Sequence, residues 1–188
     1  WDGNETWMVL GGAGLFAAFP LVYSTVLSAL YMPIILMVIA LIFRGVAFEF
    51  RFKANKTKHL WDQAFIWGSI LSSFLQGVIL GAYIQGIETT NGIYTGGGLD
   101  WLTPFSLFTG ISVVVLYATL GCGWLIFKAE KMLQNRMFEL MPKLLISLLM
   151  IFACVSIYTP LAHPQIAERW FSQPQLFYFS PVPVLVLL

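Results

Sequence analysis

Ala29-Leu30-Tyr31-Met32-Pro33-Ile34-Ile35-Leu36-Met37-Val38-Ile39-Ala40-Leu41-Ile42-Phe43 runs without a charged residue until Arg44. It lies inside a longer, mostly apolar stretch from Val22 to about Phe50, more than the roughly 20 residues a helix needs to cross a bilayer. The rest of the chain repeats the pattern. Of 188 residues, 59% are hydrophobic and 10% charged, and the mean hydropathy is +0.81. A soluble domain carries about 25% charged and 45–50% apolar residues. Charge this scarce cannot supply a water-facing shell, and disorder needs the opposite composition. The sequence therefore reads as an all-α integral membrane protein, a single multi-span helix bundle with membrane lipid around it.

Five spans are expected, at about 4–19, 22–50, 61–87, 101–127 and 144–161, with the start of a sixth at 182–188. Pro20 separates the first two. The chain opens on Trp1 and closes on a new apolar run, so an internal piece of a longer polypeptide is expected, truncated at both ends.

The loops suggest an orientation. Arg44, Arg51, Lys53, Lys56 and Lys58 precede the third span; Lys128, Lys131, Arg136 and Lys143 follow the fourth. Together they are nine of the ten basic residues. The intervening loops, 88–100 and 163–181, contain only Arg169. The positive-inside rule places the basic loops 51–60 and 128–143 in the cytoplasm. Trp61, Trp67, Trp101, Trp124 and Trp170 stand near predicted span ends, as interfacial anchors do. Gly77 and Gly81 form a GxxxG spacing, and Gly11, Gly12 and Gly14 cluster in the first span; both patterns favour close helix contacts. Gln76 and Gln85, on the third span, are placed to hydrogen-bond across helices.

Few residues are candidates for chemistry. Trp1-Asp2-Gly3-Asn4-Glu5-Thr6-Trp7 sets two carboxylates before an apolar helix. They read as a helix start, with Glu5 reaching back as in a capping box, or as a proton relay at the mouth of the bundle. Arg44 either snorkels to the interface or projects inward to a carboxylate or an anionic cofactor group. Glu49 and Lys53 form an i,i+4 pair. His59 and His163 lie in loops rather than spans, and no Cys/His set has zinc spacing, so no metal site is expected in this chain. Cys122 and Cys154 read as small hydrophobes. A net charge of +1 leaves no basic surface for nucleic acid.

Trp1 to Trp7, then Gly11-Gly12, Leu15 to Pro20, Leu41 to Arg51, Trp61-Asp62, Gly68-Ser69, the Gln76 to Gly86 helix and Asp100 to Phe105, resemble subunit II of the cytochrome bd-type quinol oxidases. Arg44-Gly45-Val46-Ala47-Phe48-Glu49-Phe50-Arg51 is most similar to the cyanide-insensitive branch. The resemblance covers residues 1–140 well and the remainder by hydropathy. It implies a haem-poor subunit of a bacterial inner-membrane complex that oxidises quinol and reduces oxygen to water. It further implies that haem b and haem d sit in a partner, subunit I, of a heterodimer to which a small accessory subunit can attach. No cofactor is then expected on this chain alone. Asp2 matches a carboxylate assigned to proton transfer, with Glu5 a second candidate. Trp7 matches an aromatic near an oxygen access route. Arg44, with Glu49, takes a structural or cofactor-facing place. The rival reading from composition is a fragment of a secondary transporter, whose polar residues would gather at the bilayer midplane.

Overall fold

A computed structural model describes residues 3–162 and 164–173. In chain order the elements are α1 (Gly3–Ala18), α2 (Pro20–Lys53), α3 (Lys58–Gln85), β1 (Thr89–Thr90), β2 (Ile93–Tyr94), α4 (Pro104–Lys128), α5 (Lys131–Ala162) and α6 (Pro164–Phe171). The chain divides into two compact units, Trp1–Gly121 and Cys122–Leu188. Among the described residues α2, α3, α4 and α5 are long and apolar enough to cross a membrane. At 1.5 Å per residue α1 is about 24 Å long, short of the roughly 30 Å hydrocarbon core. The membrane-helix class read from composition thus holds, and the span expected over 4–19 is this shorter helix. The sixth span at 182–188 lies outside the described residues.

Proline sets the breaks. A residue before proline is pushed out of the helical region, and Phe19, preceding Pro20, sits at φ −136°, ψ 65°. Pro20 then starts α2, where its missing N–H costs nothing. The Phe16 and Tyr23 rings meet edge-on across the break, 5.1 Å apart. Pro33, inside α2, cannot donate to the Ala29 carbonyl and its ring crowds that turn. The helix kinks at Leu30 (φ −115°, ψ 16°).

Beyond the kink α2 and α3 pack as an antiparallel hairpin closed by the turn 54–57. Arg51 Nε donates to Asp62 across this basic end, and the Phe50 and Trp61 rings lie 5.2 Å apart. At the opposite end Asn91 and Gly92 take positive φ (54° and 79°), joining β1 to β2 in a two-residue turn with Thr89 opposite Tyr94 and Thr90 opposite Ile93. Positive φ at both turn residues matches the strand twist, which is why Asn-Gly is favoured there. The Thr25 hydroxyl, shared with Leu21 O, donates to the Gly92 carbonyl (3.0 Å) and straps this hairpin to α2. The buried core gathers at the same end: Ala29, Leu30 and Ala82, with Val26, Ile34, Ile79, Ile87, Tyr94 and Trp101 against them.

Helix α5 starts thirteen residues before the span expected at 144–161, so most of the basic segment 128–143 is helical rather than looped. Lys131-Met132-Leu133-Gln134 and Met137 to Met141 are mostly good helix formers. This turn-and-helix is also tied back to α4. Gln134 Nε2 donates to Ile126 O (2.8 Å) and the Cys122 thiol to Met137 O (3.3 Å). Cys122 is buried and Cys154 exposed; both are free thiols.

Glycine decides how closely α3 and its neighbours approach. A Cβ on Gly77 would lie 2.5 Å from Thr109 O, and one on Gly81 would strike the Thr109 hydroxyl and come within 2.7 Å of Ser106 Cα. Gly68 stands in the same relation to Ala40 O (2.7 Å) on α2. The GxxxG expectation is therefore met on α3. Gly11, Gly12 and Gly14 on α1 have nothing within 4 Å, so no described residue uses that small face. Overpacking a tight contact costs about 1–3 kcal/mol, whereas glycine to alanine in an open helix gains up to about 1 kcal/mol. Gly81→Ala should accordingly lower the thermal midpoint in detergent by several degrees, and Gly12→Ala should leave it unchanged or raise it.

Candidate functional site

The residues singled out from the sequence do not converge. Asp2 lies outside the described residues, and the Glu5 side chain is likewise not described. Trp7 is on α1 and 70% exposed. Arg44 is half-buried on α2, its backbone N and Cβ facing Gly68 of α3. Glu49 is exposed and accepts from Lys53 Nζ at 3.0 Å, the i,i+4 pair anticipated from spacing. Five residues apart, Arg44 and Glu49 are about 140° apart around the helix, so they serve different faces.

A denser polar arrangement lies at the hairpin end. Thr103 precedes Pro104 at the start of α4, and its hydroxyl accepts from Ser106 N (3.0 Å) while Ser106 Oγ accepts from Thr103 N (3.0 Å). This is a capping box with serine in the usual glutamate place. Ser106 is fully buried, and its hydroxyl also lies 2.6 Å from Trp101 O. Thr103 Oγ1 donates in turn to Gln85 Oε1 at the end of α3 (2.5 Å). Deeper in the bilayer the Tyr117 hydroxyl donates to Gln76 Oε1 (3.0 Å). Both glutamines expected to bridge helices do so, each to α4.

Beside this junction a cavity of roughly 210 Å³ opens between α2, the end of α3 and the 86–103 loop. Ala29, Leu30 and Ala82 form its apolar side; Gln85, Glu88, Tyr94, Asp100 and Trp101 supply polar and aromatic groups. The loop is internally braced. Asp100 Oδ2 accepts from Gly97 N (2.6 Å) and lies 3.1 Å from the Tyr94 hydroxyl, which donates to Gly97 O (2.6 Å). Trp101 Nε1 donates to Gly98 O (2.9 Å). Burial, then the Asp100 hydrogen bond, then the negative charges of Asp100 and Glu88 hold the Tyr94 hydroxyl above the ordinary tyrosine range. It stays a donor at every physiological pH. The segment 88–100, expected as a loop, carries the β1–β2 hairpin. The signals were present in Asn91-Gly92 for a hairpin and in Thr103-Pro104 for a helix start.

No three His, Cys, Asp or Glu residues come together among the described residues. His59 is exposed at the first turn of α3, and His163 lies outside the described residues.

Several apolar helices of membrane length, joined at one end by a basic turn and at the other by a braced polar loop, define a multi-span membrane subunit. The profile of the family described as cytochrome bd terminal oxidase subunit II matches residues 1–188, and the chain belongs to that family. It is 33% identical over 145 residues to the probable cytochrome oxidase subunit 2 of Haemophilus influenzae, covering 72% of this chain and 38% of that protein. Over 149 residues it is 33% identical to the cytochrome bd ubiquinol oxidase subunit 2 of Bacillus subtilis, covering 77% of this chain and 44% of that protein. The cytochrome bd-I ubiquinol oxidase subunit 2 of Escherichia coli is 32% identical over 136 residues, or 66% of this chain and 35% of its own length. The chain thus spans less than half the length of these curated relatives.

Removing the Ser106 hydroxyl breaks the return bond of the capping box and strands buried polar partners, at about 1–3 kcal/mol. Ser106→Ala should therefore destabilise the bundle markedly. Thr103→Ser should be close to neutral, because the hydroxyl survives. Thermal unfolding of the purified protein in detergent, followed by circular dichroism, separates the two.

Proposed function

We propose that this chain acts as the haem-poor subunit II of a membrane-bound cytochrome bd-type quinol:oxygen oxidoreductase. The observation that carries the reading is the subunit II profile running the length of a chain with four helices of membrane length. It favours this reading over a transporter fragment. The chain would scaffold the haem-carrying subunit I, with haem b and haem d in that partner, and admit protons from the cytoplasm for oxygen reduction. A small accessory subunit and quinol complete the assembly.

In this reading Asp2 holds and passes the proton, with Glu5 as its neighbour in sequence, and Trp7 borders an oxygen route. Arg44 has a positioning place against α3, where its backbone and Cβ face Gly68. Glu49, already bonded to Lys53, steadies the basic end rather than moving protons. The orientation follows from the loop charges. The turn 54–57 with Lys56 faces the cytoplasm, in the bacterial inner membrane, and the β1–β2 hairpin faces outward.

Asp2→Asn in the assembled oxidase should slow oxygen consumption by roughly tenfold or more, since a positioned proton-transfer group contributes about 10²–10⁴, with haem absorbance retained. Unchanged turnover would remove the relay role; loss of all haem would leave a purely structural one. Orientation has its own measurement. A cysteine at Lys56 should react with an impermeant maleimide only in inverted vesicles, and one at Thr95 only in right-side-out cells.

A further inference from the structure

The cavity at the hairpin end is lined by two carboxylates, Glu88 and Asp100. No Lys or Arg occurs between Lys58 and Lys128. Within the unit Trp1–Gly121 the basic residues are Arg44, Arg51, Lys53, Lys56 and Lys58, all towards the opposite end of the α2–α3 hairpin. Asp62, at that basic end, is taken by Arg51. Among the described residues of that unit, Glu88 and Asp100 line the cavity with no Lys or Arg at their end of the hairpin. Asp100 spends one oxygen bracing the loop, whereas the exposed Glu88 carboxylate has no side-chain partner among the described residues.

From this cavity we infer a binding site for an organic ammonium group carried on an apolar chain, the headgroup of an aminophospholipid such as phosphatidylethanolamine. The two carboxylates accept from and neutralise the ammonium, and the Trp101 ring offers a face of the kind that attracts organic cations. Gln85 contributes what the next part of the headgroup needs. Its Oε1 is occupied by Thr103, so its amide N–H groups are free to donate to a phosphate or ester oxygen. Ala29, Leu30 and Ala82 continue the cavity with an apolar surface, suited to the start of an acyl chain and unsuited to a hydrated metal ion. The inference is independent of proton uptake through Asp2. It rests on the proposed orientation only in assigning the lipid to the outer leaflet.

The test uses the assembled, delipidated complex in detergent, titrated with short-chain phosphatidylethanolamine and followed by native mass spectrometry, with oxygen consumption recorded on the same sample. Saturable binding of phosphatidylethanolamine, with short-chain phosphatidylglycerol bound at least about fivefold more weakly, supports the site. Glu88→Gln should weaken the aminolipid about five- to tenfold, one lost charge-assisted contact in a partly wet site. Glu88→Asp should largely restore it. The Glu88 side chain makes no hydrogen bond or ion pair among the described residues, and the backbone bond from Thr95 N to Glu88 O survives the substitution; an unshifted thermal midpoint checks this. Free ethanolamine binding as tightly as the lipid supports the ammonium site and assigns its source to a soluble amine. Displacement of the lipid by magnesium ions, or equal binding of both lipids that ignores Glu88→Gln, overturns the proposal. If turnover is normal in that case, the proposed function stands without it.

Discussion

Hydrocarbon offers no hydrogen-bond partner, so every backbone amide inside a span must be satisfied along its own helix. The architecture depends on where this chain suspends that rule. It does so at Phe19–Pro20, around Leu30 and Pro33, and at Ala129–Glu130. Tyr23 N donates to Phe19 O and Ala129 N to Leu125 O, so the bonding runs up to the breaks. Hydroxyls inside the helices follow the same economy. Ser69, Thr109, Ser112, Thr119 and Thr159 each donate to a carbonyl four residues earlier, which lets polar side chains sit among apolar ones without a partner from outside.

The second determinant is the absence of side chains at Gly77 and Gly81. Apolar surface gives no net drive for helices to associate in lipid, so close backbone contact and interhelical hydrogen bonds must do it. The two glycines bring α3 against Thr109 and Gly110. Gln76 then meets Tyr117, and Gln85 meets Thr103. The second of these bonds joins the α3 end to the α4 cap, and the loop between them is held over the kink of α2. The cavity at that end thus lies only about one to two helical turns from the glycine contacts.

How much of this the sequence discloses depends on the kind of signal. Long apolar runs bounded by charge made the membrane helices readable, because burial in lipid acts on a whole window of residues. Gly77 and Gly81, the two bridging glutamines and the Glu49–Lys53 pair were readable because helical spacing alone brings such residues into register. The early start of α5 is hidden, since a cluster of charges marks a loop and a wet helical turn alike, while Lys131 to Met141 keeps strong helix propensity. The cavity was hidden for a different reason. Its walls come from α2, α3 and the 86–103 loop, and only the kink at Leu30 and the Asn91-Gly92 turn bring Ala29 near Trp101. The open glycines of α1 show the converse limit: spacing can announce a contact without naming which chain supplies it.

Charge placement separates the two ends by task. At the basic end of the α2–α3 hairpin Glu49 pairs with Lys53 and Asp62 with Arg51. Exposed pairs of this kind stabilise by at most about 1 kcal/mol. Their consequence is positional, because each pair fixes a side chain at that end and neutralises a cation that would otherwise draw in anions. Lys56 and Lys58 remain to set orientation. At the hairpin end of the same unit the balance is reversed: Glu88 and Asp100 line the cavity and no Lys or Arg of that unit lies there, so the field at that end favours a cation.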